Sequence, residues 1–175
     1  MSSVNTQSKT VVLSLREAFG QALVGVAEAN SQVVGLTADL SESTQIEPFA
    51  QAYPDRFFNV GVAEQNLMGI AAGLALDGKI PFITSYAVFS PGRNWDQLRV
   101  SVCYANANVK IVSTHAGLNV GPDGATHQGL EDIALTRVLP NLVVLAPCDA
   151  YQTYQATVAM AAYRGPVYMR LPRAA

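Results

Sequence analysis

The chain has 175 residues, half of them hydrophobic and only 14% charged, with a formal net charge of −2. That length suits one domain, the composition excludes disorder, and the lack of any basic run argues against nucleic acid or an anionic membrane as partner. No apolar run is long enough to span a bilayer. The polar start MSSVNTQSKT lacks the apolar stretch of a signal peptide, and Cys103 and Cys148 lack metal-ligand or disulfide-framework spacing, so a reduced, cytoplasmic setting is expected.

In chain order, Ser14 and Glu17 read as a capping box opening a helix with apolar Phe19, Leu23 and Val26. QVVGLTAD follows as an apolar strand, and a short helix over Ile46 to Ala52 leads to Pro54. RFFNVGV is a second strand. EQNLMGIAAGLALDG is a helix rich in Gly and Ala, ended by Gly78, and KIPFITSY is a third strand. Pro91 fits the start of a helix running to Tyr104. NVKIVST is a fourth strand, followed by a glycine-rich loop from His115 to His127 and a short helix over Leu130 to Arg137. NLVVLAP is the fifth strand. Asp149 caps the helix AYQTYQATVAMAAYR, which Gly165 closes, and PVYMR is the sixth strand. Near-continuous apolar strands alternating with helices predict an α/β fold: a doubly wound, mainly parallel six-stranded sheet with helices on both faces.

In such sheets ligands bind beyond the carboxyl ends of the strands. Asp39 follows the first strand, Glu64 the second, Ser85, Tyr86 and Phe89 the third, His115 the fourth and Asp149 the fifth, while Arg170 ends the sixth. Both histidines flank one loop. One sheet edge therefore gathers ionisable and aromatic groups, although loops are polar anyway and Asp149 can be only a cap. There is no P-loop, no dinucleotide fingerprint, no nucleophile elbow and no zinc helix. The pattern points to a site without naming its reaction.

Three segments add a resemblance that extends from about Arg16 to Arg173. NVGVAEQNLMGIAAGLAL resembles the glutamate helix of the transketolase family's pyrimidine-binding domain, ITSYAVF its aromatic stretch beside the cofactor ring, and THAGLNVGPDGATHQGLEDIALTRVLPNLVVLAP its substrate loop and following strand. Relatives of that kind include transketolase, 1-deoxyxylulose-5-phosphate synthase and the β-subunits of 2-oxoacid dehydrogenases. The resemblance implies that thiamine diphosphate is the cofactor and that Glu64 shares a proton with a ring nitrogen of its aminopyrimidine. On the residues alone, Glu64 could equally be a first-turn acid favouring the helix dipole. Tyr86 and Phe89 match the rings that line the pyrimidine, with ordinary core packing as the other reading. His115, Asp123 and His127 match positions that contact sugar substrates, and His115 is also matched as catalytic. Arg170, with Arg173 as its alternative, and Ser43 are matched to a sugar phosphate. Pro122 departs from the acidic residue that many transketolases carry there. THAG leans towards transketolase, whereas ATHQG and RLPR also resemble the synthase.

Family members hold the cofactor's diphosphate and a divalent metal, Mg2+ or Ca2+, through a Gly-Asp-Gly motif and a distal Asn, which this sequence lacks. The resemblance therefore implies one part of a split enzyme, or a fragment, that needs a diphosphate-binding partner subunit and binds no metal itself. A flexible tail over 1–10 and one pyrimidine-binding domain over 11–175 are expected. A homodimer contact through the Glu64 helix is expected as well, because Gly69, Ala71, Ala72, Gly73 and Ala75 permit close approach. The other readings are a synthase-like or dehydrogenase β-subunit-like domain, and a non-catalytic dimerising module.

Overall fold

The computed structural model describes residues 13–173; the expected tail over 1–10 lies outside them. Helix α1 (Leu15–Ala29) starts as the capping box requires: Ser14 Oγ accepts from Glu17 N–H, and the Glu17 carboxylate accepts from Ser14 N–H. Strand β1 (Val33–Thr37) is buried throughout. The short helices α2 (Ser41–Thr44) and α3 (Glu47–Ala52) lead to the three-residue strand β2 (Phe57–Asn59). Then come α4 (Glu64–Leu76), β3 (Ile80–Tyr86) and α5 (Trp95–Gln97), which runs on as a π-helical segment, Leu98–Tyr104. Strand β4 (Lys110–Thr114), helix α6 (Asp132–Arg137), strand β5 (Val143–Leu145), helix α7 (Ala150–Ala162) and strand β6 (Val167–Arg170) complete the order.

The six strands form one sheet in the order β2-β1-β3-β4-β6-β5, and every pairing is parallel. Period-two alternation sorts the strand residues between two cores. Phe82, Val112, Val167 and Met169 face α1, α3 and α7. Ile83, Ile111 and Tyr168 face α4 and the π-helical segment. Helices thus cover both faces, as a buried parallel sheet demands. From β1 the chain moves outward to β2 and then crosses back to β3, so the order reverses between β1 and β3 and opens a crevice at their carboxyl ends.

Some boundaries differ from expectation. The helix placed near Pro91 begins at Trp95, because the segment before it is a turn: Ser90 N–H donates to Tyr86 O at 2.8 Å, Arg93 N–H donates to Phe89 O at 2.8 Å, and the Ser90–Pro91 peptide is cis. The outer strands contract to three residues each because each has a neighbour on one side alone.

Lys110 is the least expected core residue. It is fully buried in β4, and its Nζ donates to Asn108 Oδ1, Tyr163 O and Gly165 O, each at 2.7 Å. It ties the start of β4 to the end of α7, where a cation also favours the helix dipole.

Candidate active site

Glu64 is the first residue of α4, yet it is only 3% exposed. Buried carboxylates need partners, and two are present. Arg93 Nη1 donates to Oε1 and Oε2 at 3.3 and 3.1 Å, and Ser85 Oγ donates to Oε1 at 3.4 Å. Buried Asn94 holds the backbone from below, its Nδ2 donating to Glu64 O at 3.2 Å. An open cavity of about 470 Å³ is lined by Glu64, Val62, Ala63, Gln65, Asn66 and Arg93.

A run of flat side chains leads away from Glu64. The Arg93 guanidinium lies 4.0 Å from the Phe89 ring centroid. Phe89 is parallel to Tyr86, within 9° at 5.9 Å. His127 sets its edge against Phe89, 5.3 Å away at 74°, and Tyr86 in turn stacks on His115. The glycine-rich loop reaches these rings because Gly129 has no side chain: a Cβ there would meet Val88 N at 2.8 Å.

His115 directly follows β4 and lies in the left-handed region, at φ 56°, a conformation uncommon for a residue other than glycine. Its Nδ1 lies 2.9 Å from Thr114 Oγ1, and the residue is buried. Burial, reinforced by Arg16 and Arg173, lowers its pKa to about 4 against a smaller opposing pull from Asp123. The imidazole is therefore neutral near pH 7.

A second cavity, of about 330 Å³, is lined by Arg16, Ser43, Tyr86, His115, Asp123 and Arg173. Arg16 Nη1 donates to Ser43 O at 2.6 Å, while its buried Nε finds no partner among the described residues. Burial and then Arg173 push the Arg16 pKa below its ordinary value. The two guanidiniums offer donors to an anion, in a cavity that the carboxyls of Glu42 and Asp123 also line.

The structure brings Ser43, Tyr86, His115 and Asp123 to one cavity and Glu64 to the other, with Phe89 and His127 between them. Arg170 is placed elsewhere. Its Nε donates to Asp132 Oδ2 at 2.9 Å, beside the Tyr168 hydroxyl, which donates to the same oxygen at 2.9 Å. Arg173 is the arginine of this pair that lines the second cavity. Arg16 and Arg93 were missed in the sequence. Arg16 sits in an ordinary first helical turn. For Arg93 the one available signal was that a buried Glu64 would need a cation.

A buried carboxylate and stacked rings form a donor set that fits a flat aminopyrimidine. The set does not fit a metal: among the described residues no group of three His, Cys, Asp or Glu stands close enough to hold one.

The transketolase pyrimidine-binding domain family matches residues 12–175. The provisionally named transketolase C-terminal section of Methanocaldococcus jannaschii is 51% identical over 163 residues, covering 93% of this chain and 52% of that protein. The 1-deoxy-D-xylulose-5-phosphate synthase of Thermomicrobium roseum is 43% identical over 159 residues, covering 90% of this chain and 25% of the synthase. A solved split-gene transketolase, described as an inactive β4 tetramer, is 52% identical with a TM-score of 0.83, covering 93% of this chain and 52% of that one. The chain thus spans about half the length of the first of these relatives and a quarter of the synthase. With identity of this order and a family match over nearly its whole length, the chain belongs to the transketolase pyrimidine-binding domain family.

Proposed function

We propose that the chain is the pyrimidine-binding subunit of a thiamine-diphosphate-dependent transketolase. It transfers a two-carbon ketol unit between sugar phosphates and is active only with a diphosphate-binding partner subunit that also holds Mg2+ or Ca2+. The observation that carries this reading is the Glu64 carboxyl, 3% exposed and facing a cavity beside Phe89. Thiamine diphosphate, when bound, supplies the carbon nucleophile that protein side chains lack.

The chain's own residues bind and orient. With the cofactor bound, the Glu64 carboxyl would share a proton with a ring nitrogen of the aminopyrimidine. Phe89 and Tyr86 keep water off the ring faces. His115, neutral near pH 7, and His127 exchange hydrogen bonds with sugar hydroxyls, and Asp123 accepts from another. Arg16, Ser43 and Arg173 hold the phosphate, the guanidiniums offering paired N–H donors. Arg170 holds Asp132 and so braces α6, which follows the loop.

The subunit reading draws support from the split-gene transketolase relative, whose solved form is described as an inactive β4 tetramer. The outward face of α4 carries Gly69, Ile70 and Gly73, with open space beside both glycines, which suits a second copy of the helix in a homodimer. The two free thiols, Cys103 and Cys148, suit the reducing cytoplasm.

The test is reconstitution with a diphosphate-binding subunit, assaying ketol transfer from xylulose 5-phosphate against condensation of pyruvate. Transfer that is lost with Glu64→Gln and absent from the isolated chain is expected. Full transfer by the Glu64→Gln assembly sinks the reading, and condensation of pyruvate with an aldose phosphate, with loss of CO2 and without turnover of xylulose 5-phosphate, assigns the chain to synthase chemistry.

A further inference from the structure

Arg93 already does to Glu64 and Phe89 what an aminopyrimidine would do. Its planar guanidinium donates to both carboxyl oxygens of Glu64, at 3.3 and 3.1 Å, and lies over the Phe89 ring at 4.0 Å. A planar donor stacked on one ring and bonded to one carboxylate fills the place of another planar donor with the same two demands. The two cannot hold those contacts at once.

The side chain is held loosely on a firm base. The backbone turn beneath it is tied by Arg93 N–H to Phe89 O and by buried Asn94 to Glu64 O. The guanidinium itself bonds Glu64 alone among the described residues, and the Arg93 side chain is 51% exposed where that of Glu64 is 2%. The other ion pair among the described residues differs. Arg170 is 25% exposed and Asp132 fully buried, and their carboxylate is shared with Tyr168. That pair is a fixed brace, whereas Arg93 can swing into water without leaving its turn.

On the reading that Glu64 and Phe89 receive the cofactor's pyrimidine, we infer that Arg93 is a latch on that site: it covers the carboxylate and the ring face until the pyrimidine displaces it. The latch keeps a buried charge paired and makes uptake of the cofactor a competition with a group of the chain itself. A half-exposed ion pair and an exposed cation–ring contact are each modest in water, so together they reduce affinity by about three- to tenfold.

The experiment titrates thiamine into the full chain, following the Arg93 side-chain Nε–H by NMR, for wild type, Arg93→Met, Arg93→Lys and Glu64→Gln. The latch predicts that Arg93→Met binds about three- to tenfold more tightly than wild type, with Arg93→Lys between them. It also predicts that the wild-type Arg93 signal moves to the position of a free arginine at saturation. If Arg93→Met binds equally or more weakly while Glu64→Gln weakens binding, Arg93 is a fixed neighbour of the ring and the latch is overturned, with the pyrimidine site intact. If Glu64→Gln changes nothing, thiamine does not use this carboxyl and the function proposed above fails as well. Should Arg93→Met not fold, the wild-type signal and Arg93→Lys decide: an Arg93 resonance unmoved at saturation overturns the latch.

Discussion

His115 stacks on Tyr86 with ring centroids 3.8 Å apart and planes 27° from parallel, and that contact helps to bury an imidazole which two arginines also face. Its pKa, about 4, lies below the ordinary 6.5. The unfolded chain therefore takes up a proton that the folded chain refuses between those values. The contribution of His115 is fully present above pH 6.5 and is lost as the pH drops towards 4, by roughly 1–2 kcal/mol after solvent screening. An NMR titration should place the His115 midpoint near 4, and Arg173→Ala should move it upward, because Arg173 is one of the causes of the shift.

The two neighbouring arginines should separate cleanly. Arg170→Ala leaves Asp132 buried and unpaired and should cost about 3–5 kcal/mol in urea unfolding. Arg173→Ala, at an exposed position, should cost under about 0.5 kcal/mol. In the reconstituted enzyme Arg173→Ala should raise KM for phosphorylated sugars about tenfold or more, the loss of one hydrogen bond to a charged group. Unphosphorylated sugars should be unaffected.

Glu64→Gln keeps shape and size but cannot hold an exchangeable acid proton. Ketol transfer in the assembly should drop by about 10²–10⁴, with the circular dichroism spectrum of the chain unchanged. A loss of less than about threefold would count against a proton held at this carboxyl.

Lys110→Met fills the same volume but abandons three oxygen acceptors, Asn108 Oδ1, Tyr163 O and Gly165 O. Thermal or urea unfolding should show a loss of about 2–4 kcal/mol. Burial lowers the Lys110 pKa from 10.5 to about 8, so between these values the unfolded chain keeps a proton the folded chain has shed. Wild-type stability should therefore rise with pH across that window, and the variant should lose that rise.

The capping box offers a local check. Ser14→Ala removes the hydroxyl that accepts from Glu17 N–H and should cost about 1 kcal/mol. Hydrogen bonds donated to the Glu17 carboxylate, first by the Ser14 side chain and then by the Ser14 backbone N–H, hold its pKa below the ordinary value. Their contribution is present above pH 4.5 and disappears as the pH falls through the lowered value.

The layout of the fold was readable because its signals are local. The run VVGLT carries apolar residues on both faces, which only a covered parallel sheet tolerates, and Ser14 and Asp149 announce helix starts within four residues. The turn over Ala87–Asn94 was not readable, since its hydrogen bonds and cis Ser90–Pro91 peptide leave no periodic trace. The site divides the same way. Glu64, Tyr86 and His115 sit at or just past strand ends or in the first helical turn, where topology points, and Phe89 lies three residues past β3. Arg16 and Arg93 act through partners 27 and 29 residues away, and nothing in their own neighbourhoods records those contacts. Arg170 and Arg173 look interchangeable as letters. Arg170 still belongs to β6 and shares the face of Tyr168, whereas Arg173 lies past the strand's end.

The sheet ends on both sides in very little backbone: β2 at one margin and β5 at the other offer three residues each. Such stubs are poor templates for a foreign strand. Lateral growth, the route by which exposed sheets polymerise, thus finds little backbone to start from at either rim.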